Sequence, residues 1–294
     1  MILVFGGQGQ LGQELVARAR ANGVALTALG RKDADVTDPK AIAHAVVRVR
    51  PSLIVNAAGY NRVDKAETDR AAAQRANALG AGIVAAAAKR AGLPVVHISS
   101  DFVFDGKKIG LYREDDPIAP LNVYGRSKAR GEESVRNTQP HHLILRTAWL
   151  YGAYGTNFLK KILQLAVDRD VIDVVGDQHG SPTSATDLSQ AILIVAEAID
   201  RRQAAWGTYH IAGTGWTSRH AFATAIVAAQ APFTKRNPTV NAVATSTLLA
   251  AAARPANSPL DSSKFAEAFG FRAVDWKTGA ERTVAEIFAR KAEA

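Results

Sequence analysis

The 294-residue sequence contains no cysteine, which excludes disulfide scaffolds, cysteine-based zinc sites and thiol nucleophiles. A reducing compartment fits this composition, so we expect a cytoplasmic protein. No apolar run is long enough to cross a membrane, because the alanine-rich stretch after Ala81 is broken by Lys89 and Arg90. The N-terminus has no basic region and only a short apolar run, so it does not resemble a signal peptide. We therefore expect no membrane partner.

No tract of like charge stands out, although the net charge at pH 7 is +9. Lysine and arginine are spread along the chain and mixed with acids, whereas nucleic-acid binders concentrate positive charge on one face or in one tract. We therefore expect no nucleic-acid partner. A solvated basic surface explains the charge, and it is compatible with steering of an anionic small molecule such as a dinucleotide or a sugar nucleotide.

Short apolar segments alternate with helical patterns in the first half of the sequence. The predicted strands are apolar on both faces, as strands buried in a parallel sheet must be, and they span residues 2–5, 25–29, 53–55, 94–98 and 143–145. One helix is predicted to begin at Pro39 with Asp38 as its N-cap, and another covers residues 71–91. This alternation predicts an α/β fold with a doubly wound, Rossmann-like parallel sheet.

The pattern is less regular after residue 150. Helices are predicted at residues 158–168, 188–199, after Thr217 and at 283–290, with strands at 171–175 and 209–211. Residues 231–238 contain two prolines and are predicted to form a loop, and the chain onwards to Pro259 is predicted to be irregular. We expect residues 1–150 to form the main domain, to which later segments return, and residues 151–294 to form a smaller, mostly helical domain.

A glycine-rich segment lies between the first strand and the following helix. Its sequence, Gly6-Gly7-Gln8-Gly9-Gln10-Leu11-Gly12, fits two overlapping frames that begin at Gly6 or at Gly7. In either frame an early glycine makes the tight turn, Gly9 lets a pyrophosphate approach the backbone and Gly12 lets the helix pack on the sheet. The helix N-terminus adds free N–H groups. The main domain is therefore predicted to bind a dinucleotide through Gly6, Gly9, Gln10, Leu11 and Gly12.

The end of the second strand is expected to set the cofactor preference. A Rossmann unit that selects NAD often carries an acid there, about 20 residues after the glycines. This sequence has Gly30-Arg31-Lys32 instead. Arg31 suits a 2′-phosphate, the alternative being a solvated turn residue, while Asp35 and Val36 are placed to contact the adenine. We predict NADPH as the cofactor, with NADH also possible.

Tyr124 and Lys128 stand four residues apart in a helical pattern and share a face. A ketone that gains hydride at carbon must receive a proton at oxygen, which tyrosine can donate although its usual pKa of about 10 is high. A nearby ammonium is expected to lower that pKa, and Lys128 is also expected to bind the nicotinamide ribose. Ser100, at the end of the fourth strand, is placed to hold the substrate oxygen. An exposed helix pair and a loop-capping serine are the alternatives.

With these motifs the sequence resembles an extended short-chain dehydrogenase/reductase and, more narrowly, the dTDP-4-dehydrorhamnose reductase family. Matching segments follow in order along nearly the whole chain, and the more specific ones are residues 120–125 (PLNVYG) and 254–260 (RPANSPL). The resemblance implies that dTDP-4-dehydro-6-deoxy-L-mannose (dTDP-4-dehydrorhamnose) is reduced to dTDP-L-rhamnose. It makes Ser100 the catalytic hydroxyl, Tyr124 the proton donor and Lys128 its partner.

The resemblance also implies further binding residues. It places the sugar nucleotide, a small-molecule partner, mainly in residues 151–294. The implied cofactor contacts include Ala57, Ala58, Tyr60, Ser99, Tyr124 and Lys128. The implied substrate contacts are Ser100, Asp101 and Trp149 around the sugar, and Arg254 and Asn257 near the phosphates.

Some positions depart from the family pattern. Many members have Thr at Ser100, and some bind magnesium through three glutamates at a dimer contact. Glu14 and Glu286 match two of these glutamates, but Thr186-Asp187 stands at the third. We therefore predict no metal site and leave magnesium and a homodimer open. Another nucleotide-sugar reductase, a 4-epimerase, or a non-catalytic NADP-binding subunit resembling the regulatory subunit of methionine adenosyltransferase is the alternative function.

Overall fold

A computed structural model describes residues 1–247 and 249–292 of the chain. Its strands are β1 (Ile2–Phe5), β2 (Leu26–Leu29), β3 (Leu53–Asn56), β4 (Val95–Ser100), β5 (His142–Thr147), β6 (Leu150–Tyr151), β7 (Val171–Val175), β8 (His179–Gly180), β9 (Thr183–Ser184), β10 (Gly207–His210), β11 (Thr217–Ser218) and β12 (Thr239–Val243). Its helices are α1 (Gln10–Ala21), α2 (Pro39–Val49), α3 (Val63–Ala66), α4 (Arg70–Gln74), α5 (Gly80–Arg90), α6 (Val123–Thr138), α7 (Phe158–Asp168), α8 (Ala185–Asp200), α9 (Arg219–Thr234), α10 (Ser263–Phe269) and α11 (Trp276–Ala292). Short 3₁₀ turns cover Asp101–Val103 and Thr245–Thr247.

The central sheet has six parallel strands in the order β2-β1-β3-β4-β5-β10. Apolar side chains of α1 and α8 cover one face, and those of α2 and α5 cover the other. The predicted doubly wound, Rossmann-like sheet is therefore confirmed. Because the chain passes from β1 to β2 and then back across to β3, a crevice opens at the carboxyl ends of β1 and β3, where such sheets bind ligands.

Side-chain caps fix where two important helices begin. The Asp38 carboxylate accepts the N–H groups of Lys40 and Ala41 ahead of α2, as predicted. The Asn122 side chain accepts the N–H of Gly125 at 2.7 Å ahead of α6. Helix α6 therefore begins at Val123 and places Tyr124 in its first turn.

A π turn at Arg75–Leu79 joins α4 to α5 inside the predicted alanine-rich helix. The buried Asn77 lies in this turn, and its side-chain oxygen accepts the N–H of Tyr60 at 2.7 Å. Its amide nitrogen donates to the Tyr60 carbonyl at 3.0 Å and to the Ser127 hydroxyl at 2.8 Å. One side chain thus connects the loop after β3 to helix α6.

The second half of the chain contributes to two cores. Helices α7, α9 and α11 bury a separate apolar cluster, which includes Tyr151, Leu159, Phe222 and Val284. Strand β10 instead returns to the central sheet beside β5, and α8 packs on α1. No helix in the described ranges is both long and apolar enough to cross a membrane. The division into two domains at residue 150 stays a prediction.

Two predictions for residues 231–259 are wrong. Helix α9 continues through Pro232 to Thr234, and the residue after the proline, Phe233, stacks on Phe288 with ring centroids 4.7 Å apart. Strand β12 pairs with β7 in parallel, where an irregular chain was expected. Its side chains are largely exposed, so the sequence carries no buried-strand pattern there. Leu248, in the same predicted segment, lies outside the described residues.

Candidate active site

The glycine segment makes the turn from β1 into α1 beside the crevice. Gly6 has φ = +90°, a conformation that favours glycine, and its carbonyl accepts the N–H of Gly9 at 3.0 Å. A Cβ atom on Gly12 would lie 2.4 Å from that same carbonyl oxygen, so a side chain there would push α1 away from β1. Gly9, at the N-cap, has no side chain to cover the first N–H groups of α1. The turn therefore fits a pyrophosphate.

A cavity of about 380 Å³ extends from this turn to the end of β2. At its rim, Arg31 Nε donates to Asp35 Oδ2 at 2.9 Å, and the Arg31 side chain is 86% exposed. A 2′-phosphate at this rim would meet both the guanidinium and the carboxylate. The predicted cofactor residues that line the cavity are Gly6, Gly9, Arg31, Asp35, Val36, Ala57, Ala58 and Tyr60.

A second cavity, of about 390 Å³, crosses the carboxyl ends of β4 and β5. We call it the substrate cavity. Asn257 is not among its lining residues, because its amide nitrogen donates to the backbone carbonyls of Lys108 and Gly110. Gly12 packs beneath the glycine turn. The predicted residues that line the substrate cavity are Gly9, Gln10, Leu11, Ala57, Ala58, Ser99, Ser100, Asp101, Tyr124, Lys128, Trp149 and Arg254.

Tyr124 and Lys128 lie one turn apart on α6 and are both buried. Burial raises the pKa of Tyr124 to about 12, with the neighbouring Ser100 hydroxyl opposing this change. Lys128 Nζ donates to the Ile98 carbonyl at 2.5 Å, and burial lowers the pKa of Lys128 to about 8. The expected lowering of the Tyr124 pKa by Lys128 is therefore not found, because burial raises that pKa and Ser100 is the group that opposes the rise. A phenol that stays protonated at neutral pH is nevertheless suited to donate a proton.

The Asp101 carboxylate orients the Ser100 hydroxyl. It accepts hydrogen bonds from Ser100 Oγ at 2.9 Å and from Ser258 Oγ at 2.7 Å. Asp101 is fully buried, and burial raises its pKa to about 6 although both hydroxyls oppose this. To hold a substrate oxygen, Ser100 must turn its hydrogen from Asp101 towards the cavity.

A buried ion pair that the sequence reasoning missed supports this site from behind. Ser99 Oγ donates to Glu132 at 2.6 Å, and Arg146 donates to both carboxylate oxygens of Glu132 at 2.8 Å. Burial opposes ionisation of Glu132, but the hydrogen bonds and charge of Arg146 outweigh it and lower the pKa of Glu132 to about 2. The pair joins α6 to β5. In the sequence, Glu132 looks like any other charged helix residue.

Further lining residues of the substrate cavity were not predicted, Arg219 and Thr147 among them. The Arg219 guanidinium lies 3.7 Å above the ring of Trp149, which itself has φ = +46°. The Thr147 hydroxyl is buried and has no hydrogen-bond partner in the part of the chain that the structure describes. These residues come from distant segments, and nothing local in the sequence connects Arg219 with Trp149.

Each of the two glutamates that match magnesium ligands has a side-chain partner in the described residues, while the second, buried carboxylate oxygen of Glu14 has none there. The Thr186 hydroxyl donates to Glu14 at 3.0 Å, and Arg290 pairs with Glu286 at 2.7 Å. Across residues 1–247 and 249–292, no group of three His, Cys, Asp or Glu side chains is arranged to hold a metal ion. The residues present therefore do not fit a site made of three glutamates.

A parallel sheet with its ligand crevice between β1 and β3, and a serine, tyrosine and lysine at its carboxyl edge, defines an extended short-chain dehydrogenase/reductase. The RmlD substrate binding domain family matches residues 1–288. A dTDP-4-dehydrorhamnose reductase of Aggregatibacter actinomycetemcomitans is 39% identical over 280 residues, which cover 94% of this chain and 95% of that protein. The chain belongs to the dTDP-4-dehydrorhamnose reductase family, as its motifs indicate.

Solved structures agree with this assignment. The dTDP-4-dehydrorhamnose reductase from Bacillus anthracis str. Ames in complex with NADP superposes with a TM-score of 0.89 at 35% identity, covering 97% of this chain and 98% of that one. The UDP-glucose 4-epimerase from Brucella ovis in complex with NAD reaches a TM-score of 0.83 at 20% identity, covering 98% of each chain. At that identity the epimerase shares the fold alone.

Proposed function

We propose that this protein reduces the 4-keto group of dTDP-4-dehydrorhamnose to give dTDP-L-rhamnose, with NADPH as the preferred cofactor. The observation that carries the proposal is the cavity in which Ser100, Tyr124 and Lys128 lie beside the glycine turn. The named relatives are reductases, which favours this NAD(P)H-dependent oxidoreductase over the epimerase and regulatory-subunit alternatives. Its place is then in dTDP-rhamnose biosynthesis.

The predicted catalytic residues each have a task in this reaction. A nicotinamide cofactor held by the glycine turn would supply the hydride for reduction at carbon 4 of the sugar. Tyr124 donates its phenolic proton to the ketone oxygen, and Ser100 hydrogen-bonds that same oxygen. The Lys128 ammonium stabilises the phenolate left on the tyrosine. Asp101 and Trp149 contact the sugar, while the glycine turn, with Gln10 and Leu11, holds the cofactor pyrophosphate.

Incubation with NADPH and dTDP-4-dehydro-6-deoxy sugars, with the products identified by NMR, tests the proposal. We expect one mole of dTDP-L-rhamnose to form for each mole of NADPH consumed, as followed by the loss of NADPH absorbance. Formation of the 6-deoxytalose epimer would instead show that the enzyme produces the opposite configuration at carbon 4. Cofactor binding without turnover would instead support the regulatory subunit.

Assembly, domain organisation and location belong to the same proposal. We propose that residues 1–150 bind the cofactor, that residues 151–294 supply much of the sugar-nucleotide site, and that the chain forms a homodimer in the cytoplasm. Light scattering gives the mass in solution, and a monomeric mass at micromolar concentration would contradict the dimer. Because Thr186-Asp187 stands where the third glutamate would be needed, adding a chelator should leave that mass unchanged.

Replacing Arg31 with aspartate should reverse the cofactor preference. Wild type is expected to prefer NADPH by about tenfold, near 1.4 kcal/mol, because Arg31 meets the 2′-phosphate while the neighbouring Asp35 repels it. The exposed position of Arg31 allows salt to screen this interaction. The variant repels the phosphate and can accept a hydrogen bond from the free 2′-hydroxyl of NADH. The measurement is the ratio of kcat/KM for the two cofactors at two ionic strengths.

The neighbouring Lys32 provides a matched control. It is exposed and is not among the residues lining either cavity, so Lys32→Asp makes the same change in charge outside the site. We expect the control to keep the wild-type ratio. An equal ratio in wild type and Arg31→Asp would show that Arg31 is a solvated turn residue.

Replacing Lys128 with methionine should lower kcat by about 10- to 100-fold and remove a pH dependence. Burial lowers the pKa of Lys128 to about 8, so the wild-type ammonium loses its proton as pH rises through that value. Without that charge the phenolate is less stable, and wild-type turnover should fall above pH 8. The variant lacks this ammonium, so its profile should stay flat to higher pH.

The turnover of wild type, of Lys128→Met and of a control variant is measured from pH 6 to pH 10. Lys89→Met, which deletes an exposed lysine at the end of α5, is the control and should keep the wild-type profile. Full activity and an unchanged profile for Lys128→Met would remove Lys128 from the mechanism.

A further inference from the structure

The substrate cavity contains two guanidinium groups whose charges are balanced differently. Arg254 forms a bidentate ion pair with Asp64, with its nitrogens 3.0 Å and 2.6 Å from the two carboxylate oxygens. In the described ranges of the chain, Arg219 forms no ion pair with a carboxylate. The nearby Asp101 carboxylate is occupied by two serine hydroxyls. Among the described residues, the positive charge of Arg219 is therefore not neutralised by a direct ion pair.

Packing fixes where this charge lies. Arg219 is the first residue of α9, and its backbone N–H donates to the Gln178 carbonyl at 3.0 Å. The guanidinium carbon lies 3.7 Å from the centre of the Trp149 ring, and Gly180 backs that ring so closely that a Cβ there would be 2.4 Å from it. Because only its face is used for stacking, the edge of the guanidinium keeps its N–H donors for a ligand.

Burial makes this cation costly to keep without an anion. It lowers the pKa of Arg219 to about 10, although the Asp101 charge opposes this, so the group still carries its proton at neutral pH. An anionic ligand in the cavity would supply the missing negative charge. Arginine is well matched to phosphate groups because its planar donors can bind two oxygens at once.

We propose that Arg219 binds the diphosphate of the nucleotide sugar. The inference rests on the proposed function and deepens it, because Arg254 was the arginine expected at the phosphates. Trp149, the residue expected to contact the sugar, lies directly beneath the Arg219 guanidinium. A diphosphate bonded to that sugar is held next to the same ring. In this arrangement Arg254 stays bound to Asp64 and shapes the cavity wall.

Calorimetric titration with dTDP in the presence of NADP⁺ tests the assignment without needing turnover. We expect Arg219→Gln to weaken dTDP binding by roughly 10- to 100-fold, the range for losing a charge-assisted hydrogen-bonded pair. Arg219→Lys keeps the charge but loses the planar donors, so it should fall between wild type and Arg219→Gln. Since dTDP has no hexose, a change in how Trp149 contacts the sugar cannot produce this loss.

Arg272→Gln is the matched control, because it removes one exposed arginine from outside the cavity and should leave the dTDP affinity at the wild-type value. Wild-type dTDP affinity in Arg219→Gln would overturn the assignment. If Arg219→Gln does not fold, wild-type dTDP affinity in Arg219→Lys would overturn it, and so would a loss of affinity in Arg272→Gln equal to the loss in Arg219→Lys. Failure of the wild type to bind dTDP or to form dTDP-L-rhamnose would instead overturn the proposed function.

Discussion

Replacing Tyr124 with phenylalanine should lower kcat by about 10²- to 10⁴-fold, the usual contribution of general acid catalysis. The ring stays, so its packing against Phe102 and the shape of the cavity are kept. Only the phenolic proton is lost, and NADPH should bind with near wild-type affinity. Steady-state kinetics and a fluorescence titration with NADPH measure the two quantities separately.

Tyr154→Phe is a suitable control, because it deletes a tyrosine hydroxyl from a residue that does not line either cavity. It should leave kcat unchanged. Turnover close to wild type in Tyr124→Phe would end the assignment of Tyr124 as the proton donor. An equal loss of NADPH affinity would show that the phenol serves binding instead.

Replacing Glu132 with glutamine should lower the free energy of unfolding by about 3–5 kcal/mol. The change leaves the Arg146 guanidinium buried without its carboxylate, and both side chains are almost fully buried in the wild type. The pKa of Glu132 is held down to about 2 in the fold, so its contribution is present above the usual carboxyl pKa near 4.3. It is lost as pH falls from there through 2. Denaturant unfolding of wild type and Glu132→Gln at pH 7 and at pH 3 measures the difference in the free energy of unfolding at each pH.

The adjacent residue gives a direct comparison. Glu133 is exposed, so Glu133→Gln should change stability by less than about 0.5 kcal/mol. The double variant Glu132→Leu with Arg146→Met removes both charges and should recover much of the lost stability. Equal stability of Glu132→Gln and Glu133→Gln would mean that the buried ion pair contributes nothing.

The sequence predicted features whose signals are local. The buried strands are continuous apolar runs, and the glycine turn directly follows one of them. Ser100 could then be assigned to the ligand-binding edge of the sheet, because ligands bind outside the carboxyl ends of parallel strands. Tyr124 was joined to it by the chemistry of ketone reduction and by the family resemblance.

Contacts between distant segments were the part that the sequence did not predict. The stacking of Arg219 on Trp149 and the Glu132–Arg146 ion pair depend on tertiary packing that no short pattern encodes. The same holds for Asn257, which faces backbone carbonyls outside the substrate cavity. Strand β12 was missed for a different reason, since an exposed strand lacks the apolar alternation that marks a buried one.

The π turn at Arg75–Leu79 sets a constraint on chain length. Such a turn amounts to one extra residue inserted into an α-helix. Deleting a residue there would restore α-helical geometry and change the position of Asn77 between the loop after β3 and helix α6. Asn77 would then no longer reach both Tyr60 and Ser127. The number of residues between the loop after β3 and helix α6, which carries the proton donor Tyr124, is therefore determined by the hydrogen bonds that Asn77 makes to both.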